Sequence, residues 1–553
     1  MSLVITPIDD TFQLDAMPVD VSDTEPIVQN NPINEDDRTP NVTTTPEPTI
    51  QSGTTSDISK GRAYVTVAIL LTINLLNYMD RYTVAGVLNQ IQTYYNLGSA
   101  SDGLLQTVFI GTYMIFSPIF GYLGDRYTRK YIMAGGIFFW SCVTLAGSFV
   151  DKEHKLWFFV LRAAVGVGEA SYSTIAPTLI ADLFVGDLRT RMLMIFYFAI
   201  PVGSGMGYIV GSNIAEAFGH WQWALRFTPT LGMVCVILIV FVLKEPKRGH
   251  SEGGRNLHNT TFLSDLMYLF KNKSFMLSTL GFTCVAFVTG ALALWAPLYM
   301  QRSISVQGGY QKESIVSLTF GGITIAAGFI GVFLGAESSR RYKRVNPRAD
   351  PLICAFGLLS CTPFLFFALV VSKYNTTATW ILIFLGEVCL CLNWSIVADM
   401  LLYCVIPTRR SAEKQYRFFD IFIFQYCVIP TRRSAAEAVQ ILMSHALGDA
   451  GSPYLIGLIS DALAKKYKDP PKTPSVQFAT LQSALYMTPF ICVVGGGFFL
   501  ATALFIEKDR KEAEKITKGY SEINVDSGDD ADFDDVNQLL DDDDDGLLPH
   551  GGN

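Results

Sequence analysis

The chain has 553 residues, of which half are hydrophobic and only 17% charged, and its mean hydropathy is +0.30. Soluble domains carry about a quarter charged residues, so the composition speaks against a soluble multidomain enzyme. The net charge of −8 is uneven: residues 1–58 hold eleven acids against Arg38 alone, residues 522–553 hold twelve acids and no Lys or Arg, and the body between is +14. That body is apolar rather than polar and basic, which argues against nucleic acid as a partner.

The predicted elements run as follows. Residues 1–59 are polar and acidic and are expected to be disordered. A bilayer-crossing helix needs about 20 mostly apolar residues, and such runs lie near 63–88, 103–123, 131–150, 156–180, 190–212 and 224–243. After a polar central loop, 245–273, come 275–299, 315–336, 351–372, 379–405, 436–462 and 478–506. The expectation is an all-α membrane protein of twelve transmembrane helices in two six-helix bundles, 60–244 and 274–507. With both termini placed in the cytosol, the inward segments hold 29 Lys and Arg and the outward loops nine, the bias that sets orientation. The final stretch, 508–553, reads as a disordered acidic cytosolic tail. The ten cysteines sit in or at the ends of apolar runs without metal-ligand spacing, so neither disulfides nor a metal site is expected. The acidic N-terminus shows no cleavable signal peptide. One sequon, Asn375-Thr376-Thr377, falls in a predicted outward loop and is a candidate glycosylation site.

One segment breaks the pattern. Tyr403 to Ala412 recurs letter for letter at Tyr426 to Ala435. Repeats that maintain a fold are degenerate, so an identical ten-residue copy reads as recent or artefactual. The intervening Phe418-Phe419-Asp420-Ile421-Phe422-Ile423-Phe424-Gln425 is what a pyrimidine-rich splice acceptor would encode. Residues 413–435 are thus either a duplicated exon start with translated intron or a real cytosolic insert.

Gly121-Tyr122-Leu123-Gly124-Asp125-Arg126-Tyr127-Thr128-Arg129-Lys130 follows the second span. It matches the loop signature of the major facilitator superfamily, with Thr128 where glycine is usual. Gly121 and the second glycine let helix ends approach, and Asp125 can face a helix N-terminus; Arg126, Arg129 and Lys130 complete the gating motif. Asn77 to Gly86, Arg162 to Tyr172, Asn393-Trp394, Ala398-Asp399, Pro430 to Ser434 and Gly448 to Tyr454 narrow the match further. Together these stretches closely resemble the Spinster proteins, a major facilitator family of lysosomal and plasma-membrane lipid transporters. The resemblance covers roughly 60–507 apart from the surplus segment. It implies lysophospholipids or sphingolipids of the sphingosine-phosphate type as substrates, with protons and the bilayer as the other partners and no cofactor.

Charges at membrane depth are costly unless they pair or line a wet cavity, which makes them functional candidates. Asp80 and Arg81 lie in the first span; Arg162 and Glu169, seven apart, lie on one face of the fourth. A carboxyl group that alternates between apolar surroundings and an arginine loads and releases a proton, and the resemblance implies this coupling for Asp80, Arg162 and Glu169. The alternative is a static brace between two helices. Arg81 either meets an anionic headgroup, which guanidinium suits, or pairs with Glu169. In the second half the ionisable candidates are Glu387, Glu437, His445 and Asp449; His445 titrates in a lysosomally useful range. Gly203, Gly205, Gly207 and Gly211 in the fifth span and Gly328, Gly331 and Gly335 in the eighth form small-residue ridges. These are expected either to face each other as a sliding seam between halves or simply to pack tightly.

The C-terminal tail carries two acidic dileucine patterns, ending in Leu539-Leu540 and Leu547-Leu548, and a tyrosine-based one at Tyr520. They resemble endolysosomal sorting signals read by clathrin-adaptor proteins. No catalytic triad or nucleotide-binding loop appears, so an enzyme is not expected. Two further readings stay open: a carrier of another organic anion, and a non-transporting lysosomal protein that recruits adaptors.

Overall fold

A lipid-facing backbone must satisfy its own hydrogen bonds, and the apolar runs do so as helices. The computed structural model describes residues 59–184, 187–246, Met267, 269–404, 432–467 and 473–526. The N-terminal part comprises α1 (Lys60–Gly86), the short α2 (Leu88–Tyr95), α3 (Ser99–Arg126), α4 (Arg129–Gly147), α5 (Lys155–Leu183), α6 (Asp187–Phe218) and α7 (Gln222–Phe241). Then follow α8 (Lys273–Val306), α9 (Glu313–Lys343), α10 (Ala349–Val371), α11 (Thr376–Cys404), α12 (Arg432–Ser444), α13 (Gly451–Ala464), α14 (Pro474–Leu485) and α15 (Met487–Asp526).

Among the described residues, ten stretches are long and apolar enough to cross a membrane, and they overlie ten of the predicted runs. The other two runs are helical but depart from that standard for physical reasons. α5 carries Arg162, Glu169 and several hydroxyl residues, which lower its hydropathy. Residues 436–462 are broken by a π turn at His445–Asp449, where Gly448 adopts φ −93° and ψ −106°. Single π turns inside helices concentrate at functional sites.

Within the N-terminal part α1 packs on α6, α3 on α5, and α4 on α5 and α7; in the C-terminal part α8 packs on α15, α9 on α11, and α10 on α11 and α15. Two seams join these sets: α6 against α9, and α3 against α13. Small residues make both possible. A Cβ on Gly205 would sit 2.5 Å from the Gly321 carbonyl oxygen, one on Gly103 2.2 Å from that of Pro453, and one on Gly457 2.1 Å from that of Ser99.

The expected ridge is therefore only partly a seam. Gly205 and Gly328, the latter against Pro201, do face the opposite helix. Gly203, Gly207 and Gly211 instead pack on α1, against Leu75, Met79 and Thr83, and Gly331 packs on Cys391 of α11. The α3–α13 seam was not anticipated.

The tail also differs from expectation. α15 continues to Asp526, so disorder does not begin at 508; Lys508 to Glu522 is rich in Lys, Glu, Arg and Ala, which favour helix. The N-terminal tail, most of the central loop, residues 413–431 of the surplus segment 413–435 and the dileucines Leu539, Leu540, Leu547 and Leu548 lie outside the described residues.

Candidate functional site

The first-half charges converge. Asp80 of α1 is fully buried. Its Oδ2 accepts a hydrogen bond from Trp140 Nε1 of α4 at 3.1 Å, and its Oδ1 accepts one from Thr228 Oγ1 of α7 at 2.5 Å. Arg162 of α5, also buried, places Nη1 3.6 Å from Asp80 Oδ2, and its Nη2 donates to the Arg81 carbonyl oxygen at 3.2 Å. Glu169, two turns along α5, accepts from Arg81 Nη2 at 3.2 Å. With its carboxamide oriented to satisfy both partners, the Asn77 amide nitrogen lies 2.6 and 3.1 Å from the two Glu169 oxygens.

Two ion pairs are thus cross-linked through one backbone carbonyl: Asp80 with Arg162, and Glu169 with Arg81. The two guanidinium groups are further held by aromatic faces. Arg81 lies 5.0, 5.0 and 5.1 Å from the ring centroids of Tyr78, Phe109 and Tyr113, and Arg162 lies 4.5 Å from Phe109. Cation–π contacts gain strength in such desolvated settings. Of the two fates expected for Arg81, the structure has the pair with Glu169, while 10% of its side chain remains exposed. The Nε atoms of both arginines are buried without a hydrogen-bond partner, so the cluster has donors to spare. Chemically, it sets two carboxylates and two guanidiniums side by side in a buried, aromatic-lined site.

The second half contributes His445 and Asp449, which meet across the π turn: His445 Nδ1 lies 2.8 and 3.0 Å from the two carboxylate oxygens. The His445 ring stands edge-on to Tyr113 at 6.2 Å, and Tyr113 also covers Arg81. This pair therefore borders the first-half cluster. Glu387 does not join it. It is buried on α11, near Thr324, and lines a cavity of about 30 Å³ with Tyr299, Phe320, Leu365 and Ile383. Glu437 lies on α12, but its side chain is outside the described ones, as are those of Asp125 and Tyr520.

The gating motif is built around Arg129. Its guanidinium pairs with Asp182 at the end of α5, and its Nε donates to the Gly124 carbonyl oxygen at 3.4 Å. Glu245, after α7, accepts from the backbone N–H groups of Arg129 at 3.1 Å and Lys130 at 3.5 Å, so the carboxylate seen at the N-terminus of α4 is that of Glu245. Arg126 is exposed and stacks on Tyr122 at 4.4 Å. Gly124 needs its size, since a Cβ would approach Ile175 to 2.9 Å, whereas Gly121 has open space around it. Asn375 is exposed, and its Oδ1 accepts from the Ala378 N–H at 3.0 Å to cap α11.

At the opposite end from the gating motif, polar groups link the two helix sets. Asp461 of α13 accepts from the N–H groups of Ser99 (2.9 Å) and Ala100 (2.8 Å). Asn89 and Gln90 donate to Glu313, at 2.5 and 3.0 Å. Glu216 pairs with Lys312 and accepts from Ser314; the Glu216 carboxylate holds the exposed Lys312 ammonium above the ordinary lysine range.

Sequence reasoning missed Trp140, Thr228, Asp182, Glu245 and Asp461. A Trp in an apolar run needs a partner for its N–H, which was the available signal for Trp140. The partner itself is set by helix rotation, and no spacing in the sequence reports that.

The profile of the Major Facilitator Superfamily matches residues 70–411, ending one residue before the first copy of the repeat does. The chain is 54% identical over 471 residues to protein spinster homolog 1 of Xenopus laevis, covering 84% of each. It is also 54% identical over 472 residues to the Homo sapiens homolog, again covering 84% of each. With protein spinster of Drosophila melanogaster the identity is 47% over 505 residues, 83% of this chain and 79% of the relative. Among solved structures, it resembles a bacterial homolog of the human lysosomal transporter Spinster in an inward-facing, unoccupied conformation. There the TM-score is 0.67 and the identity 19%, with 82% of this chain and 99% of that one covered.

Proposed function

The chain belongs to the Spinster proteins of the major facilitator superfamily and is a multi-pass membrane transporter, and we propose that it is a proton-linked carrier of lysophospholipids or sphingolipids of the sphingosine-phosphate type. In this reading α5 and the broken α12–α13 also span the bilayer, giving twelve spans in two six-helix bundles with both termini in the cytosol. The 29-to-9 excess of Lys and Arg on that side supports the orientation.

The observation that carries the proton linkage is the cross-paired cluster. Asp80 and Glu169 are held by arginines from neighbouring helices at 3.6 and 3.2 Å inside an aromatic cage. A buried carboxylate that loses its arginine takes up a proton rather than stay charged. A shift of α1 against α5 inside the N-terminal bundle, driven as the halves rock, therefore loads the acids, and the return shift releases the proton. The site pairs this charge centre with apolar and aromatic walls, which suits an amphiphile: the tail on the walls, an anionic headgroup on the spare guanidinium donors. In this reading the polar ties at the far end, between Glu216 and Lys312 and between Asp461 and α3, close the outward side.

Alternating access then moves the lipid across the lysosomal or another cell membrane. The acidic dileucines and Tyr520 support a lysosomal destination reached through clathrin-adaptor proteins. The test is flux of labelled lysophosphatidylcholine and sphingosine phosphate into proteoliposomes with and without a pH gradient. Gradient-driven flux that loses its pH dependence in Asp80→Asn is expected. An unchanged pH response in that variant would remove Asp80 from the coupling, and absence of lipid flux would move the substrate to another organic anion.

A further inference from the structure

Asp102 lies at the outward end of α3, apart from the Asp80–Glu169 cluster, and is fully buried. Its Oδ2 accepts from Gln92 Nε2 at 2.7 Å, while its Oδ1 is buried without any hydrogen-bond partner. The same Gln92 carboxamide turns its oxygen to Arg302 of α8, which donates from Nη2 at 3.0 Å; Arg302 Nη1 donates to the Gln477 carbonyl oxygen at 3.3 Å. Arg302 is itself buried. One carboxamide thus stands between a buried acid of the first half and a buried base of the second. A turn away, Asp461 of α13 caps the first two N–H groups of the same helix.

A carboxylate with one oxygen left bare costs free energy when charged and less when protonated. The charges acting on it are few: Arg302 from α8 and Asp461 from α13. On the other elements packed against α3, Arg162 and Glu169 of α5 are engaged with Asp80 and Arg81. His445 and Asp449 of the π turn face each other, and Arg129 and Lys130 of α4 lie at the opposite end of the helix. Nothing in the Asp80–Glu169 coupling uses Asp102.

We propose that Asp102 is a second proton-binding site, placed in the outward gate, and that its protonation releases the gate. With the carboxylate charged, Gln92 is polarised between anion and cation and ties α2 and α3 to α8. A protonated Asp102 no longer attracts Arg302, so this tie between α3 and α8 weakens. Acid on the outward side then opens that side, the direction needed to load a carrier from an acidic compartment. The inference rests on the alternating-access reading above, but the gate can be observed without any substrate.

The experiment places spin labels at His220→Cys and Tyr310→Cys, exposed residues beside the Glu216–Lys312 tie and outside the gate itself. The full chain is used, with label-reactive native cysteines first replaced. Distances are recorded in proteoliposomes at about pH 7.5 and about pH 5. The separated population is expected to rise about tenfold on acidification, the ratio that one pH unit of coupling supplies. Asp102→Asn should show the acid-side distribution at both pH values. Arg302→Gln removes the α8 end of the Gln92 tie and should likewise show the acid-side distribution at both pH values; this variant also serves if Asp102→Asn does not fold, since a pH response that survives in it would overturn the assignment. A full response in Asp102→Asn, or one lost only in Asp461→Asn, would overturn the assignment, as would a wild-type distance indifferent to pH. Lipid flux measured in the same vesicles bears on the transport reading alone.

Discussion

Removing the Asp80 carboxylate leaves the Arg162 guanidinium buried, held only by one hydrogen bond to the Arg81 carbonyl and by the Phe109 face. Breaking a buried pair from one side costs about 3–5 kcal/mol, and Arg162 is only 4% exposed, so screening by water gives little relief. The reverse change is milder. In Arg162→Gln, Asp80 keeps its bonds from Trp140 and Thr228 and can take a proton, so the loss is that of one charge-assisted contact, about 1.5–3 kcal/mol. At roughly 2 °C per kcal/mol for a chain of this size, Asp80→Asn should lower the midpoint of thermal unfolding in detergent by roughly 6–10 °C. Arg162→Gln should lower it by roughly 3–6 °C. The double variant Asp80→Asn/Arg162→Gln buries no net charge and should lose no more than about the milder single, a coupling of about 3 kcal/mol or more. Strictly additive losses would refute the claim that these residues act as one unit, and an Arg162→Gln loss larger than that of Asp80→Asn would refute the ordering.

Other predictions follow from single contacts. Gly205→Leu drives a side chain into the Gly321 carbonyl and Ile325; if α6–α9 is a moving seam, lipid flux should fall about tenfold or more while expression stays near normal, and undiminished flux would make it inert packing. Asn375→Gln should abolish a glycosidase-sensitive shift in gel mobility, because the exposed Asn375 uses its Oδ1, not its amide nitrogen, to cap α11. If the dileucines act as endolysosomal sorting signals, replacing Leu539, Leu540, Leu547 and Leu548 with alanine should raise the share of protein at the cell surface, as read by surface biotinylation. Deleting Glu413 to Ala435 should leave expression intact and raise flux, and transcripts should be found that join the codon for Ala412 directly to that for Ala436; uniform reads through Phe418–Phe424 would make the segment a genuine insert.

The sequence by itself determined the membrane-spanning helical class, because the need to satisfy a backbone in lipid leaves long apolar runs no other form. It also picked out Asp80, Arg81, Arg162 and Glu169, since each is a charge where charge is expensive. The seven-residue spacing placed Arg162 and Glu169 on one face, and the structure keeps them there. Which acid meets which base was decided only by tertiary packing: helix rotation turns Arg162 to Asp80 and Arg81 to Glu169. Periodicity is a property of one helix, while these distances belong to pairs of helices. For the same reason Trp140 and Thr228 looked like ordinary apolar-run residues until α4 and α7 brought them to Asp80. The glycine ridge showed the same limit, since small residues announce close approach but not to whom: Gly205 meets α9, while Gly203 and Gly207, two residues to either side, meet α1. Asp102 and Arg302 stood in sequence as an acid near a span's start and a base near another's end. Only the docking of the two halves set one carboxamide, Gln92, between them.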